Sequence, residues 1–162
     1  MQMSFTTHWN APAAATASHS VPTTPKQSTT ASRPGGRIRI VPKGLAKLAK
    51  EIPLVTLTNS MVAQIPANVA RLGAPFHAVL TAEEAGAYKP HFKAFEYMFD
   101  MLGCGPEDIT HVSSSFRHDL MSAYDLGIKS KVWVNRGHEP ANPFYEYTEI
   151  RDATQLPGVF GL

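Results

Sequence analysis

Two pairs of polar side chains in this chain have the chemistry needed to act on a small anion. In the first pair, Lys89 lies in a loop before Pro90, and Asp119 follows a serine-rich stretch. A lysine ammonium stabilises negative charge that develops during a reaction and keeps a nearby carboxylate ionised. Asp119 could bond Lys89 or orient a water molecule. The alternatives stay open, because loop lysines are often solvent-exposed and an aspartate is favoured at the start of a helix.

The second pair consists of Thr58 and Asn59, which end an apolar run and offer a hydroxyl and an amide. These groups suit the oxygens of a carboxylate or a phosphate, although they could simply cap the helix that follows. The seven histidines have no metal-ligand spacing, and we do not expect His111 and His118 to bind a metal. The sequence contains no glycine-rich phosphate loop, and we predict no cofactor.

Alternating strands and helices between residues 54 and 135 are expected to position these side chains. This alternation predicts βαβ units, and hence a parallel Rossmann-like sheet with helices on both faces. The carboxyl ends of the strands would bring the polar groups to one edge, where ligands bind in such sheets. The predicted strands cover 53–58, 76–81, 109–113 and 131–135, and the predicted helices cover 62–72, 92–102 and 120–126.

The N-terminal part of the chain has a different composition. Residues 1–36 are rich in Ser, Thr, Ala and Pro without periodicity, so we predict a disordered segment there and a folded domain over 37–162. This acid-free segment also fits an organelle transit peptide. The stretch 37–41 (RIRIV) alternates charged and apolar residues, which is typical of a short half-exposed strand, and 43–50 has the pattern of an amphipathic helix.

Composition argues against several classes of protein. The chain has 162 residues, of which 43% are hydrophobic and 17% charged, with a net charge of +2. That charge is too small to indicate nucleic-acid binding. No apolar run approaches the roughly 20 residues of a membrane span. A single cysteine, Cys104, precludes an internal disulfide, and we expect a cytoplasmic protein. The sequence also allows the protein to form a homodimer.

The order and spacing of four motifs resemble the haloacid dehalogenase superfamily, and within it the type II 2-haloacid dehalogenases. The resemblance covers about residues 41–162, and GAYKP at 86–90 is its sharpest part. The motifs are LTNS at 57–60, FHAVLTAEEAGAYKP at 76–90, VSS at 112–114 followed by Asp119, and WVNR at 133–136.

The resemblance implies a doubly wound α/β core with a helical cap. It also implies a hydrolase in which an aspartate on the first strand attacks the substrate and water then hydrolyses the ester. By position, Thr58 and Asn59 resemble the binders of a small-molecule carboxylate substrate. Lys89, Ser114 and Asp119 resemble catalytic residues of the third and fourth motifs. Phosphatases of this superfamily hold Mg²⁺ with two acids in the fourth motif, so Ser114 favours the metal-free dehalogenases.

The sequence departs from the family pattern most clearly at the nucleophile. Residues 1–99 contain no aspartate, and Phe95 and Phe116 stand where dehalogenases tend to have tyrosine and asparagine. We therefore expect a truncated or inactive copy that lacks the first strand and the cap. The alternatives are a non-catalytic module that binds a partner or a small anion, and a phosphatase of the same superfamily.

The missing strand has a structural consequence. In the family it lies between the strands that end here at Thr58 and Ser113, and its loss would leave unpaired backbone groups in the middle of the sheet. We hypothesise that 37–41 fills this gap imperfectly, or that the gap stays open.

Overall fold

A six-stranded sheet forms the centre of the molecule in a computed structural model that describes Met3–Thr7 and residues 41–162. The strand order across the sheet is β3-β2-β1-β4-β5-β6. Parallel pairing joins β2 to β3, β4 to β5 and β5 to β6. The strands are β1 Met3–Thr7, β2 Val55–Thr58, β3 Ala78–Thr81, β4 Thr110–Ser113, β5 Ser130–Val134 and β6 Thr148–Ile150.

Helices connect these strands, and local sequence signals set several of their ends. Thr81 and Glu84 form a reciprocal capping box at the start of α3. Gly73 and Gly103 end α2 and α4 in the left-handed conformation, where a side chain would be strained. The helices are α1 Val41–Leu48, α2 Ile65–Leu72, α3 Ala82–Ala85, α4 Phe92–Leu102, α5 Met121–Asp125 and α6 Leu156–Val159.

Two apolar layers cover opposite faces of the sheet, as expected for helices on both sides. One layer packs α1, α2 and α6 onto the sheet, and the other packs α4 and α5 onto it. The first contains Leu45, Leu48, Leu54, Leu72, Val112, Val132, Val134, Ile150 and Leu156. The second contains Val55, Leu57, Leu80, Phe95, Met98, Leu102, Ile109, Ala123 and Ile128. The predicted α/β fold class is thereby confirmed.

The centre of the sheet differs from the expectation in one important way. The gap between β2 and β4 is occupied by β1, which pairs antiparallel with both neighbours. The backbone of Phe5 pairs with that of Thr56 in β2 on one side and with that of Val112 in β4 on the other. Neither an open gap nor filling by 37–41 is therefore correct, because Val41 begins α1 and residues 37–40 lie outside the described part of the chain.

The predicted disorder of residues 1–36 is likewise wrong for Met3–Thr7, which forms β1. The other residues of that segment lie outside the described ranges. A strand with hydrogen-bonding partners on both sides gains ladder bonds that composition alone does not reveal. The composition of residues 1–36 therefore does not reveal the strand at Met3–Thr7. In 3–7 and 41–162, no helix is both long and apolar enough to cross a bilayer.

The position of β1 predicts a large effect of a proline in this strand. Phe5→Pro should lower the urea midpoint of unfolding, because proline cannot donate to the ladder and is excluded from central strands. Each buried carbonyl that loses its donor costs about 1–3 kcal/mol. Phe5→Leu, which keeps the backbone N–H, serves as the control. Equal midpoints for the two variants would show that β1 does not support the sheet.

Candidate active site

The polar groups predicted to be functional meet at the carboxyl-end edge of the parallel strands. Thr58 ends β2, and Lys89 lies in the loop between α3 and α4. Asp119 lies in a π-helical turn, Phe116–Leu120, that follows β4 and leads directly into α5. Asp119 and Lys89 are 0% and 2% exposed, so this edge buries two opposite charges.

A buried ion pair joins Lys89 to Asp119. The Nζ of Lys89 donates to Oδ1 of Asp119 at 2.6 Å. The other carboxylate oxygen, Oδ2, accepts from the hydroxyl of Ser113 at 2.8 Å, and Nε2 of His111 lies 3.2 Å from Oδ1. Burying two charges is tolerated when they are paired and hydrogen-bonded, and removing one partner typically costs about 3–5 kcal/mol.

These contacts determine the charge state of the cluster. Burial alone would raise the pKa of Asp119, but the charge of Lys89 and the hydrogen bond from His111 hold it well below its ordinary value. Burial also lowers the pKa of His111, and this outweighs the opposing influence of Asp119. At neutral pH the cluster therefore contains an ionised Asp119 and a neutral His111. The imidazole donates through Nε2, because an ionised carboxylate can only accept.

Asn59 holds the backbone of Lys89 in place. Its Nδ2 donates to the carbonyl of Lys89 at 2.9 Å, and its Oδ1 accepts from the N–H of the same residue at 2.7 Å. Thr58 accepts through its hydroxyl oxygen from the N–H of Ser60 at 3.2 Å. Asn59 thus joins the turn after β2 to the Lys89 loop, and Thr58 stabilises that turn, whereas binding of an anion by either residue stays a prediction.

The structure joins three of the five predicted site residues through two linked contacts, and a fourth is adjacent to them in the chain. Lys89 contacts both Asp119 and Asn59, and Thr58 directly precedes Asn59. Ser114 is half-buried, and its hydroxyl bonds no other residue in the described ranges. The assignments of these residues as catalytic or substrate-binding stay predictions.

Sequence reasoning missed three residues of this region: His111, Ser113 and Glu139. His111 and Ser113 lie two positions apart in β4, so both point to the same face and reach Asp119. That spacing is visible in the sequence and could have identified them. Glu139 lies beyond β5 and contacts the start of the π-helical turn, a contact that no local pattern signals.

The fourth motif does not fit the Mg²⁺ ion that phosphatases of the superfamily hold there. Asp119 accepts bonds from Lys89, His111 and Ser113, which leaves its oxygens poorly placed for a hard cation. Ser114 supplies a hydroxyl where a second carboxylate would be needed. Within 3–7 and 41–162, no three His, Cys, Asp or Glu side chains are grouped so that they could hold a metal.

The neutral, buried His111 predicts a pH dependence of stability. Its folded-state pKa lies below the ordinary value of 6.5, so the unfolded chain takes up a proton first as pH falls. The free energy of unfolding should therefore be fully maintained above pH 6.5 and decline below it, by at most about 1.4 kcal/mol per pH unit. Urea unfolding of His111→Gln should show a shallower decline below pH 6.5.

The matched control for this measurement is His91→Gln, because His91 is exposed. Its pH dependence should follow that of the unmodified protein. The same decline in all three proteins would mean that His111 is not buried in its neutral form.

Comparison with known sequences supports a hydrolase relationship over part of the chain. No protein-family model matches. A glyceraldehyde 3-phosphate phosphatase of Methanothermobacter thermautotrophicus is 33% identical over 88 residues, which cover 50% of this chain and 38% of that protein. The chain thus spans well under half of this relative, and the likeness does not extend to the whole enzyme.

Solved structures of the haloacid dehalogenase (HAD) type share the fold. A HAD phosphatase from Thermococcus onnurineus is 28% identical with a TM-score of 0.56, covering 65% of this chain and 48% of that one. An L-2-haloacid dehalogenase is 21% identical with a TM-score of 0.64, and the match covers 72% of this chain and 54% of that one. A HAD-type hydrolase from Bacillus subtilis is 20% identical with a TM-score of 0.63, and the match covers 73% of this chain and 52% of that one. The chain spans about half of each, and at these lower identities the likeness concerns the fold alone.

The α/β fold, the sequence similarity to one phosphatase and the structural similarity to another support the haloacid dehalogenase-like hydrolase superfamily for this chain, without separating its dehalogenases from its phosphatases.

Proposed function

We propose that this chain is the anion-binding part of a haloacid dehalogenase-type hydrolase and that it does not release halide by itself. The substrate class is a small 2-haloacid, whose carboxylate would lie at the edge formed by Thr58, Asn59 and Lys89. In such a reaction a carboxylate attacks the carbon that bears the halogen, halide leaves, and water hydrolyses the resulting ester. The chain contributes the binding edge, and the attacking carboxylate must come from elsewhere.

The buried Lys89–Asp119 ion pair is the observation that carries this proposal. At 2.6 Å it places a cation at the carboxyl edge of the sheet, where anionic ligands bind in doubly wound folds. The same contact argues against Asp119 as the nucleophile. Both of its oxygens already accept hydrogen bonds, and its lowered pKa reflects how strongly its charge is stabilised where it lies.

Asn59 supports the binding edge by fixing the lysine loop. Its two hydrogen bonds to the backbone of Lys89 leave that side chain little freedom to move away from β2. A preorganised cation binds an anion more tightly than a mobile one, because less ordering entropy is lost on binding. Asn59 therefore acts on the substrate through Lys89 in this proposal.

The proposal predicts binding of a haloacid without turnover. The full chain incubated with 2-chloropropionate should release no chloride above background by ion chromatography, whereas calorimetry should detect binding. Lys89→Met should weaken that binding at least about tenfold, since it removes the cation. Asp119→Asn should tighten it, because the carboxylate that competes with the bound anion for the ammonium of Lys89 is then removed.

Two outcomes would contradict this proposal. Chloride release that disappears in Asp119→Asn would identify Asp119 as the nucleophile. Absence of binding in a chain whose circular dichroism indicates a folded α/β protein would instead favour a module that binds another partner.

A comparison of Asn59→Ala with Asn59→Asp tests whether the contact between Asn59 and the Lys89 loop matters for binding. Asn59→Asp keeps the acceptor for the Lys89 N–H, whereas Asn59→Ala removes it.

A phosphatase is the second candidate, favoured by the similarity to the Methanothermobacter phosphatase sequence and to the Thermococcus phosphatase structure. The fourth motif argues against it, because Ser114 replaces an acid and Asp119 is committed to Lys89. We expect no hydrolysis of p-nitrophenyl phosphate with or without millimolar Mg²⁺, measured by release of nitrophenol. Mg²⁺-dependent hydrolysis that Ser114→Asp increases would favour the phosphatase.

A further inference from the structure

The segment from Asn135 to Glu139 spans the edge of the sheet between β5 and β4, and we call it the strap. It begins where β5 ends, and three bonds of Asn135 fix its base. The N–H of Asn135 donates to the carbonyl of Ile150 at 2.7 Å, and its Nδ2 donates to Glu149 at 2.8 Å. Its Oδ1 accepts from the N–H of Gly137 at 2.8 Å, which turns the chain back toward β4.

Glu139 anchors the far end of the strap. Its Oε1 accepts from the hydroxyl of Ser115 at 3.0 Å, and its Oε2 accepts from the N–H of Phe116 at 2.7 Å. Both donors are buried, whereas Glu139 itself is half-buried. A single carboxylate thereby satisfies two donors at the beginning of the π-helical turn that carries Asp119.

A continuous series of hydrogen bonds leads from this anchor to Asp119. Ser115, whose hydroxyl donates to Glu139, also donates through its N–H to the hydroxyl oxygen of Ser113 at 3.2 Å. Ser113 donates to Oδ2 of Asp119 at 2.8 Å. The position of Ser115 therefore affects the hydroxyl that holds one oxygen of Asp119, while Lys89 holds the other.

The turn itself needs an external support. Its backbone closes through i to i+5 bonds, from Leu120 N–H to the Ser115 carbonyl and from Met121 N–H to the Phe116 carbonyl. A π turn is rare because α-helical pairing competes with it, and such turns occur frequently at functional sites. Glu139 bonds Ser115 and Phe116, the two residues whose carbonyls accept these longer bonds.

We propose that Glu139 is a positioning residue of the anion-binding edge, which keeps the π turn in the register that presents Asp119 to Lys89, Ser113 and His111. The inference rests on the proposed function only in taking Lys89 as the anion-binding cation. Release of Glu139 would let the turn relax and move Asp119 away from Lys89. The strap would then control how much of the charge of Lys89 is neutralised and thus how tightly an anion binds.

The test uses the imidazole N–H proton of His111, which is protected from solvent because it is buried and bonded to Asp119. NMR of the full chain without any anion should show this proton. Glu139→Ala should shift it or broaden it beyond detection, because Asp119 moves. Glu139→Gln should restore it at least in part, since the amide oxygen still accepts from the N–H of Phe116.

Glu83→Ala is the matched control. Glu83 also accepts from a backbone N–H at the start of a helical turn, that of Val62 at 2.9 Å, but it makes no contact with the Asp119 cluster. The His111 signal should stay unchanged in this variant. The urea midpoints of both alanine variants separate a loss of positioning from a general loss of stability.

Three results would overturn the proposal. They are an unchanged His111 signal in a folded Glu139→Ala variant, equal effects of Glu139→Ala and Glu83→Ala, and an undetectable signal in the unmodified protein. Because no anion is present in this experiment, its failure is distinct from a failure of the proposed function. The anion affinity of Glu139→Ala, expected to rise about as much as that of Asp119→Asn, is measured separately with 2-chloropropionate.

Discussion

Backbone pairing across the centre of the sheet is the constraint on which the rest of this structure depends. The carboxyl ends of β2 and β4 carry the polar residues, and both strands need a hydrogen-bonding partner on their inner side. Each backbone group left unpaired there would cost about 1–3 kcal/mol, and several such groups would exceed the stability of a typical domain. β1 provides these partners and thereby sets the separation between β2 and β4. Lys89 and Asp119 meet across the edge of the sheet that this separation defines.

The Lys89–Asp119 pair shows how this frame limits the chemistry. A carboxylate that is to attack a substrate needs a free oxygen directed at the reacting atom. Asp119 has instead three donors arranged around it, from Lys89, Ser113 and His111. Attack by Asp119 would separate it from Lys89, and the loss of one partner from a buried ion pair typically costs about 3–5 kcal/mol. Structural support for a cation is the role that agrees with this geometry.

Much of the frame could be predicted from the sequence, because hydrophobic runs and turn residues act locally. The helix over 92–102 coincides with α4, and the four strands predicted between 53 and 135 correspond to β2, β3, β4 and β5. The contact between Lys89 and Asp119 was one of the two roles that the residue types left open for Asp119. By contrast, the strand Met3–Thr7 and the anchor Glu139 depend on partners more than 20 residues away, and no local pattern contains them.

The direction of β1 separates its structural role in the sheet from the role of the missing first strand. The resemblance implies a nucleophile on the missing central strand, and this nucleophile would have to reach the edge formed by the ends of β2 and β4. β1 runs the other way, with Met3 opposite Thr58 and Thr7 opposite Thr110 at the start of β4. β1 therefore ends at the edge of the sheet opposite Lys89. An aspartate at the Thr7 end of β1 would lie on the side of the sheet opposite Lys89, so β1 can support the anion-binding edge without supplying the group that attacks.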